Sequence, residues 1–224
     1  MAAAAAGRGG YVCAANVHMV TTARRDPLLL RAMEGAMAVA CDGMPLVWHL
    51  RSQGVRAASR VAGPDLMDEL CRRAAMAGLP VYFIGGTADL LARLAAALRA
   101  RHAGLAIAGA EAPDVASRPG RDAALVGRVA RSGAKLVFVG LGCPKQELWM
   151  AANADGLGAV AVGVGAAFAM HAGLRRRAPK VMQRLGLEWL YRLGQEPRRL
   201  GPRYAATNAM FVLDVAREVF RRRP

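Results

Sequence analysis

At 224 residues the chain is long enough for one domain with a full core, or for such a domain plus an appendage, and its 54% apolar composition fits a folded globular protein. Its four cysteines, Cys13, Cys41, Cys71 and Cys143, keep no C-x-x-C spacing, which argues against a zinc site or a disulfide framework and suits a reducing compartment. The net charge of +15 is uneven: from Arg175 onward 13 Lys and Arg stand against 4 Asp and Glu, a cationic tail suited to phosphate on nucleic acid, lipid or a sugar carrier.

Met1 to Gly10 is small, low in complexity and lacks the apolar segment of a signal peptide, so it reads as a disordered leader. Tyr11 to Asn16 predicts a short strand, Asp26 to Gly35 a helix, and Ala36 to Ala40 a strand ending at Cys41-Asp42-Gly43. Pro45 to Gln53 predicts a helix, because proline is tolerated in a first turn. Gly63-Pro-Asp65 caps a helix over Leu66 to Ala77, with Asp65 as N-cap or first-turn acid. Pro80 to Ile84 predicts a strand, Gly85-Gly86-Thr87 its turn, and Asp89 to Arg101 a helix. Leu105 to Ala110, Lys135 to Val139 and Ala159 to Gly163 predict further strands, separated by helices over Arg121 to Ser132 and Gln146 to Asp155. Gly156 to Met170, the longest uncharged apolar stretch, is too short and too glycine-rich to span a bilayer.

Such alternation specifies an α/β fold: a mostly parallel, Rossmann-like sheet with helices on both faces. Beyond Ala172 only helices are predicted, over Lys180 to Arg184, Leu187 to Gly194 and Arg203 to Arg222. The chain thus divides into a core over residues 11–179 and a basic helical appendage over 180–224. In the last helix Tyr204, Phe211, Val212, Val215 and Val219 form an apolar stripe beside a basic face of Arg203, Arg217, Arg221, Arg222 and Arg223. The stripe fits a helix docked on the core, or one lying on a membrane surface with its arginines on anionic headgroups.

The densest chemical signal is Gly140-Leu-Gly-Cys-Pro-Lys-Gln-Glu147, directly behind the apolar run Lys135 to Val139. A buried parallel strand here delivers polar groups to its carboxyl end, where open α/β sheets bind ligands. Lys145, Gln146 and Glu147 offer a cation, an amide and a carboxylate within one turn of a new helix, near backbone N–H groups able to hold an anion. Asp42, also at a strand end and followed by Gly43, is placed either as a general base for an attacking hydroxyl or as an ordinary turn aspartate. Asn16 is placed to bind a ligand or to cap a turn. Gly85-Gly86-Thr87 and Gly163-Val-Gly165 suit phosphate but do not complete G-x-G-x-x-G, so no dinucleotide fingerprint is present. His18, His49, His102 and His171 share no ligand spacing and no D-x-D pair exists, which makes a metal-free, cofactor-free reaction the default.

Taken together, Asp42-Gly43, Arg60-Val-Ala-Gly63-Pro-Asp65-Leu66, Ile84-Gly85-Gly86, Val139 to Glu147, Gly163-Val-Gly165, Arg177-Ala178-Pro179, Gly186-Leu-Glu188-Trp189-Leu-Tyr-Arg192 and Glu196-Pro197-Arg198 resemble the WecG/TagA/CpsF family of bacterial glycosyltransferases. The matches run in order from Asn16 to Arg203. The resemblance implies an inverting sugar transferase at the cytoplasmic face of the plasma membrane, with a UDP-sugar donor of the hexose or N-acetylhexosamine type. It implies an acceptor sugar linked to polyprenyl diphosphate, in teichoic acid or other cell-surface polysaccharide synthesis. By the same resemblance Asp42 is the base. Arg60 contacts diphosphate or acceptor, Gln146 sugar or diphosphate, and Asn16 substrate, with Gly85, Gly86, Gly140, Lys145 and Glu147 completing the substrate set. Arg192, Arg199 and Arg203 are the arginines placed to reach the acceptor diphosphate. Partners are then the two substrates and an anionic membrane surface, with self-association left open. Two positions depart from the family pattern: Ala14 stands where a Thr is common, and Ala169 follows Phe168 where an Asp is common. A nucleic-acid-binding protein would account for the charge, but the arginines lack interleaved surface aromatics and no motif of that class occurs. A dinucleotide-dependent oxidoreductase lacks its glycine fingerprint and acidic ribose partner.

Overall fold

The computed structural model describes residues 1–116 and 119–221, apart from the side chains at positions 203, 216 and 218–221. Six strands form one sheet, all pairs parallel: β1 (Gly10–Ala15), β2 (Ala38–Cys41), β3 (Val81–Ile84), β4 (Ile107–Glu111), β5 (Leu136–Val139) and β6 (Val160–Gly163). Their order across the sheet is β2-β1-β6-β5-β3-β4. Period-two alternation divides the core between the two faces. Tyr82, Ile84, Val137 and Val139 point into one cluster with Met19, Leu29, Leu125 and Trp149, whereas Val81, Phe83, Leu136 and Phe138 point into another with Met67, Leu94 and Phe168. Strands buried on both faces explain why β3, β5 and β6 read as unbroken apolar runs.

The first cluster is covered by α2 (Val17–Ala23), α3 (Pro27–Glu34), α7 (Ala123–Arg131) and α8 (Lys145–Asn153). The second is covered by α5 (Gly63–Met76), α6 (Ala88–Arg101) and α9 (Ala167–His171). The helix α4 (Met44–Ser52) follows β2 directly. Side-chain caps fix several starts: Asp26 accepts from Leu28 and Leu29, Thr87 from Leu90 at 3.2 Å, and Asp122 from Leu125 at 3.0 Å. At α5 the helix begins at Gly63, so Asp65 is a first-turn acid and Ala62 the N-cap.

Three features depart from the sequence reading. The expected disordered leader contains a helix, α1 (Ala2–Ala5), and its Ala4 is fully buried in the second cluster. No helix was expected between Asn16 and Asp26, where Val-His-Met-Val-Thr-Thr is rich in β-branched residues of low helix propensity. Tertiary burial of Met19 and Ala23, with Asn16 Oδ1 capping Met19 N at 3.1 Å, imposes α2 there. The last helix begins earlier than predicted. After α10 (Lys180–Arg184) and α11 (Glu188–Gln195), α12 runs Pro197–Arg221 with Pro202 inside it. Pro202 sits in the second turn, where it removes one backbone donor without ending the helix.

The appendage helices lie on the core. Arg177 donates twice to the Asp65 carboxylate, each bond 2.5 Å, and Arg24 of the turn after α2 pairs with Asp214 of α12. Phe211 meets His49 edge-on at 5.9 Å, and Leu200 is 1% exposed. Tyr204, Phe211 and Val215 of the predicted stripe therefore face α2, α4 and the cleft described below, while Val212 borders the cleft and remains 64% exposed. Val219, Arg203, Arg221, Arg222 and Arg223 of that prediction fall outside the described side chains.

Candidate active site

A cleft of about 940 Å³ opens at the carboxyl ends of β2, β1, β6 and β5, four neighbouring strands, and is roofed by α10 to α12. That volume lies in the range of small-molecule sites. The strand ends supply its floor. At the end of β2, Asp42 is held by its own N–H, which donates to Ala15 O at 2.6 Å. Its carboxylate accepts the N–H of Gly63 at the start of α5, a helix N-terminus that favours negative charge. Gly43 is not there for a left-handed turn, since its φ of 163° is extended backbone. At the end of β1, Asn16 lines the cleft while its Oδ1 caps α2.

At the end of β5, Gly140 to Cys143 and Gln146 line the cleft, and the Cys143–Pro144 peptide is cis. Gln146 is only 4% exposed: its Oε1 accepts from Gly142 N at 3.2 Å and its Nε2 donates to Glu147 Oε1 at 2.7 Å. It thus sets the shape of the glycine turn. The β6 end leaves no slack beneath it, because a Cβ on Gly163 would stand 2.8 Å from Met150 Cε and 3.1 Å from Gln146 Nε2.

Lys145 and Glu147 do not join Gln146 at the cleft. Successive helical residues point about 100° apart, so these three polar side chains leave the helix in different directions. Lys145 Nζ reaches Val115 O at 3.1 Å, and Glu147 is fully buried on the core side; burial of the Cys13 thiol, and then the charge of Glu147, push that thiol up to about 12. Gly85 and Gly86 also stand behind the wall. At φ +114°, a Cβ on Gly85 would come within 2.7 Å of the Gly140 carbonyl carbon, so its role is to let the β3 and β5 turns touch. Gly86 packs against Leu90, which does line the cleft.

The roof brings charge. Arg175, Arg192 and Arg199 line the cleft together with Arg60 from the segment before α5. The side chain of Arg203 lies outside the described residues. Arg60 forms an ion pair with Glu188 of α11, their side chains 16% and 18% exposed. Arg175 and Arg199 share Glu196, the former at 3.0 Å. In this setting the Asp42 carboxyl is pushed up to about 7, first by burial and then by the negative charge of Glu188, against the opposing pull of Arg60, Arg192 and the Gly63 N–H. Glu188, Arg175, Gln183 and Trp48 are cleft residues to which the sequence reading gave no role; only Glu188 carried a signal, its place in Gly186-Leu-Glu188-Trp189.

The model of the glycosyl transferase WecG/TagA/CpsF family matches residues 1–224, the whole chain. The chain belongs to this family of glycosyltransferases. A WecG/TagA/CpsF glycosyltransferase acts on a sugar donor and an acceptor, and the cleft between sheet and appendage is the candidate place for them. Ala14 and Ala169, the two departures from the family pattern, both line it. Among the described residues no group of three or more His, Cys, Asp and Glu is placed to hold a metal ion, and the cations brought into this cleft are guanidinium groups. No helix of the described residues is long and apolar enough to cross a membrane.

Proposed function

We propose that the enzyme moves a hexose or N-acetylhexosamine from a UDP donor to a sugar carried on polyprenyl diphosphate, with inversion, in the synthesis of a cell-surface polysaccharide or teichoic acid. The observation that carries the reading is Asp42, a carboxyl near pH 7 in its proton affinity, facing a cleft ringed by arginines. A base is most effective when its pKa is close to working pH, because it is then both ionised and able to hold the proton it takes. Single displacement needs one such base. The acceptor hydroxyl gives its proton to Asp42 as its oxygen attacks the anomeric carbon, and the bond to UDP breaks with its electrons passing to the departing diphosphate. Arg60 supplies charge where that diphosphate charge develops, the Gly140 to Gly142 turn supplies backbone dipoles, and Arg192 and Arg199 are left for the diphosphate of the acceptor. No metal is required for this.

The apolar wall of Trp48, Leu200, Tyr204, Phe211 and Val212, continuous with the arginines, supports an acceptor that is polar at the diphosphate and apolar beyond it. Catalysis then takes place at the inner face of the plasma membrane. Val181 of α10, Leu185 just after it and Leu190 of α11 are 66%, 58% and 45% exposed, beside Lys180 and Arg184, and form the contacting edge.

The test is a donor screen with a short-chain lipid-diphosphate acceptor, run with wild type and Asp42→Asn. The variant keeps shape and donor affinity but loses turnover by roughly a hundredfold or more. Turnover within threefold of wild type removes Asp42 from the role, and activity abolished by EDTA and restored by magnesium contradicts the metal-free mechanism.

A further inference from the structure

Glu188 belongs to a motif, Gly186-Leu-Glu188-Trp189, to which the reaction as written gives no task. It opens α11, and its carboxylate is paired with Arg60 in a setting unlike that of the surface pairs. Arg72–Glu69 and Arg93–Asp89 have side chains 43% to 68% exposed, whereas both partners here are below 20%. Removing one partner of a shielded pair leaves the other charge uncompensated, so the pair fixes both side chains more firmly than a surface contact does. Glu188 also brings a second carboxylate into the cleft that holds Asp42, with Arg60 and Arg192 as the compensating cations.

We propose that Glu188 is a positioning residue of the transfer reaction: by pairing with Arg60 and sharing the cleft with Asp42, it fixes the guanidinium beside the base and keeps Asp42 able to accept the acceptor's proton. The proposal rests on the reading of Asp42 as the base. The charged groups facing Asp42 are Glu188 and Arg192 from α11, Arg60 before α5, the Gly63 N–H at the start of α5, and Arg177 before α10. His18 of α2 and His49 of α4 line the same cleft. Of these, Glu188 is the group whose charge holds the proton on Asp42, while Arg60, Arg192 and the Gly63 N–H draw it off. Losing the Glu188 charge also frees Arg60 to act on Asp42 alone. Both changes weaken the base in the same direction. Because Glu188 is carried by the appendage and Asp42 by the sheet, the strength of the base depends on the appendage being docked.

The test uses the full chain, with the Asp42 carboxyl carbon followed by NMR titration and assigned by its absence in Asp42→Asn. In Glu188→Gln the Asp42 midpoint falls by about one pH unit, the acidic limb of kcat/KM moves with it, and Glu188→Asp restores part of both. A merely structural role for Glu188 lowers kcat/KM equally at every pH and leaves the limb in place, as does an Asp42 midpoint unchanged in both variants; either result overturns the proposal. The two readings fail differently. If Asp42 is not the base, Asp42→Asn keeps the acidic limb of the wild type, even where the NMR midpoint still responds to Glu188.

Discussion

Asp42 combines a chemical advantage with a thermodynamic cost that can be measured apart from catalysis. Its carboxyl has an ordinary value of 3.8 and is pushed up to about 7 in the fold. Between those values the native state holds a proton that the unfolded chain has released, so stability falls as pH rises through that window. Above pH 7 the full cost of a buried carboxylate near Glu188 is present; near pH 4 it is absent. Asn in its place is neutral at every pH. Asp42→Asn is therefore expected to raise Tm by roughly 5 °C at pH 8, with the gain shrinking towards zero at pH 4, while turnover is lost. Differential scanning calorimetry across pH 4 to 8 checks this, and a Tm difference that does not change with pH removes the burial of the charge as its cause. Glu69 shows the opposite case. Held to about 2 by two arginines at the surface, it carries no comparable claim on stability.

At the scale of elements, what the chain declares locally and what the fold decides can be separated residue by residue. The strands β3, β5 and β6 are visible in the sequence because burial on both faces leaves only apolar residues, and the strand ends are visible because glycine and polar residues follow at once. Asp42, Asn16 and Gln146 could be singled out on that ground. The direction of a side chain could not, since Lys145 and Glu147 differ from Gln146 by one step of a helix and leave the cleft for that reason. Nor could α2, whose residues favour a strand and whose helix exists through burial and the Asn16 cap. The partnership of Arg60 with Glu188 spans 128 positions and has no local signature. The same distinction extends the membrane argument from α12, most of whose stripe faces the cleft, to α10, α11 and the turn between them. Leu185→Glu with Leu190→Glu is expected to reduce binding to anionic vesicles at least tenfold while donor binding stays within twofold, because each side chain is already exposed and neither lines the cleft. Vesicle flotation together with nucleotide titration reads both. Unchanged flotation would leave these helices as packing alone.

For the whole molecule the governing quantity is the +15 charge, concentrated towards the carboxyl-terminal end. Part of it is committed internally: Arg177 to Asp65, Arg60 to Glu188, and Arg175 and Arg199 to Glu196. Towards that end Arg176, Lys180, Arg184 and Arg198 are exposed and can meet a surface. Each arginine near an anionic leaflet is worth about 1 kcal/mol, and that attraction is screened over about 8 Å at physiological ionic strength. Substrate contacts inside a roofed cleft are screened far less. Salt should therefore separate two steps that low-salt assays merge. Raising salt from about 50 to 300 mM is expected to raise the apparent KM for acceptor presented in anionic vesicles by tenfold or more, and to change KM for the same acceptor head group on a soluble short chain by less than threefold. The kcat at saturating acceptor should hold in both formats, because salt acts on arrival at the surface and not on the proposed base Asp42 or the shielded Arg60–Glu188 pair. If the two formats lose affinity in parallel, the exposed arginines serve the cleft and not the membrane, and the apolar edge of α10 and α11 would have to account for surface binding alone.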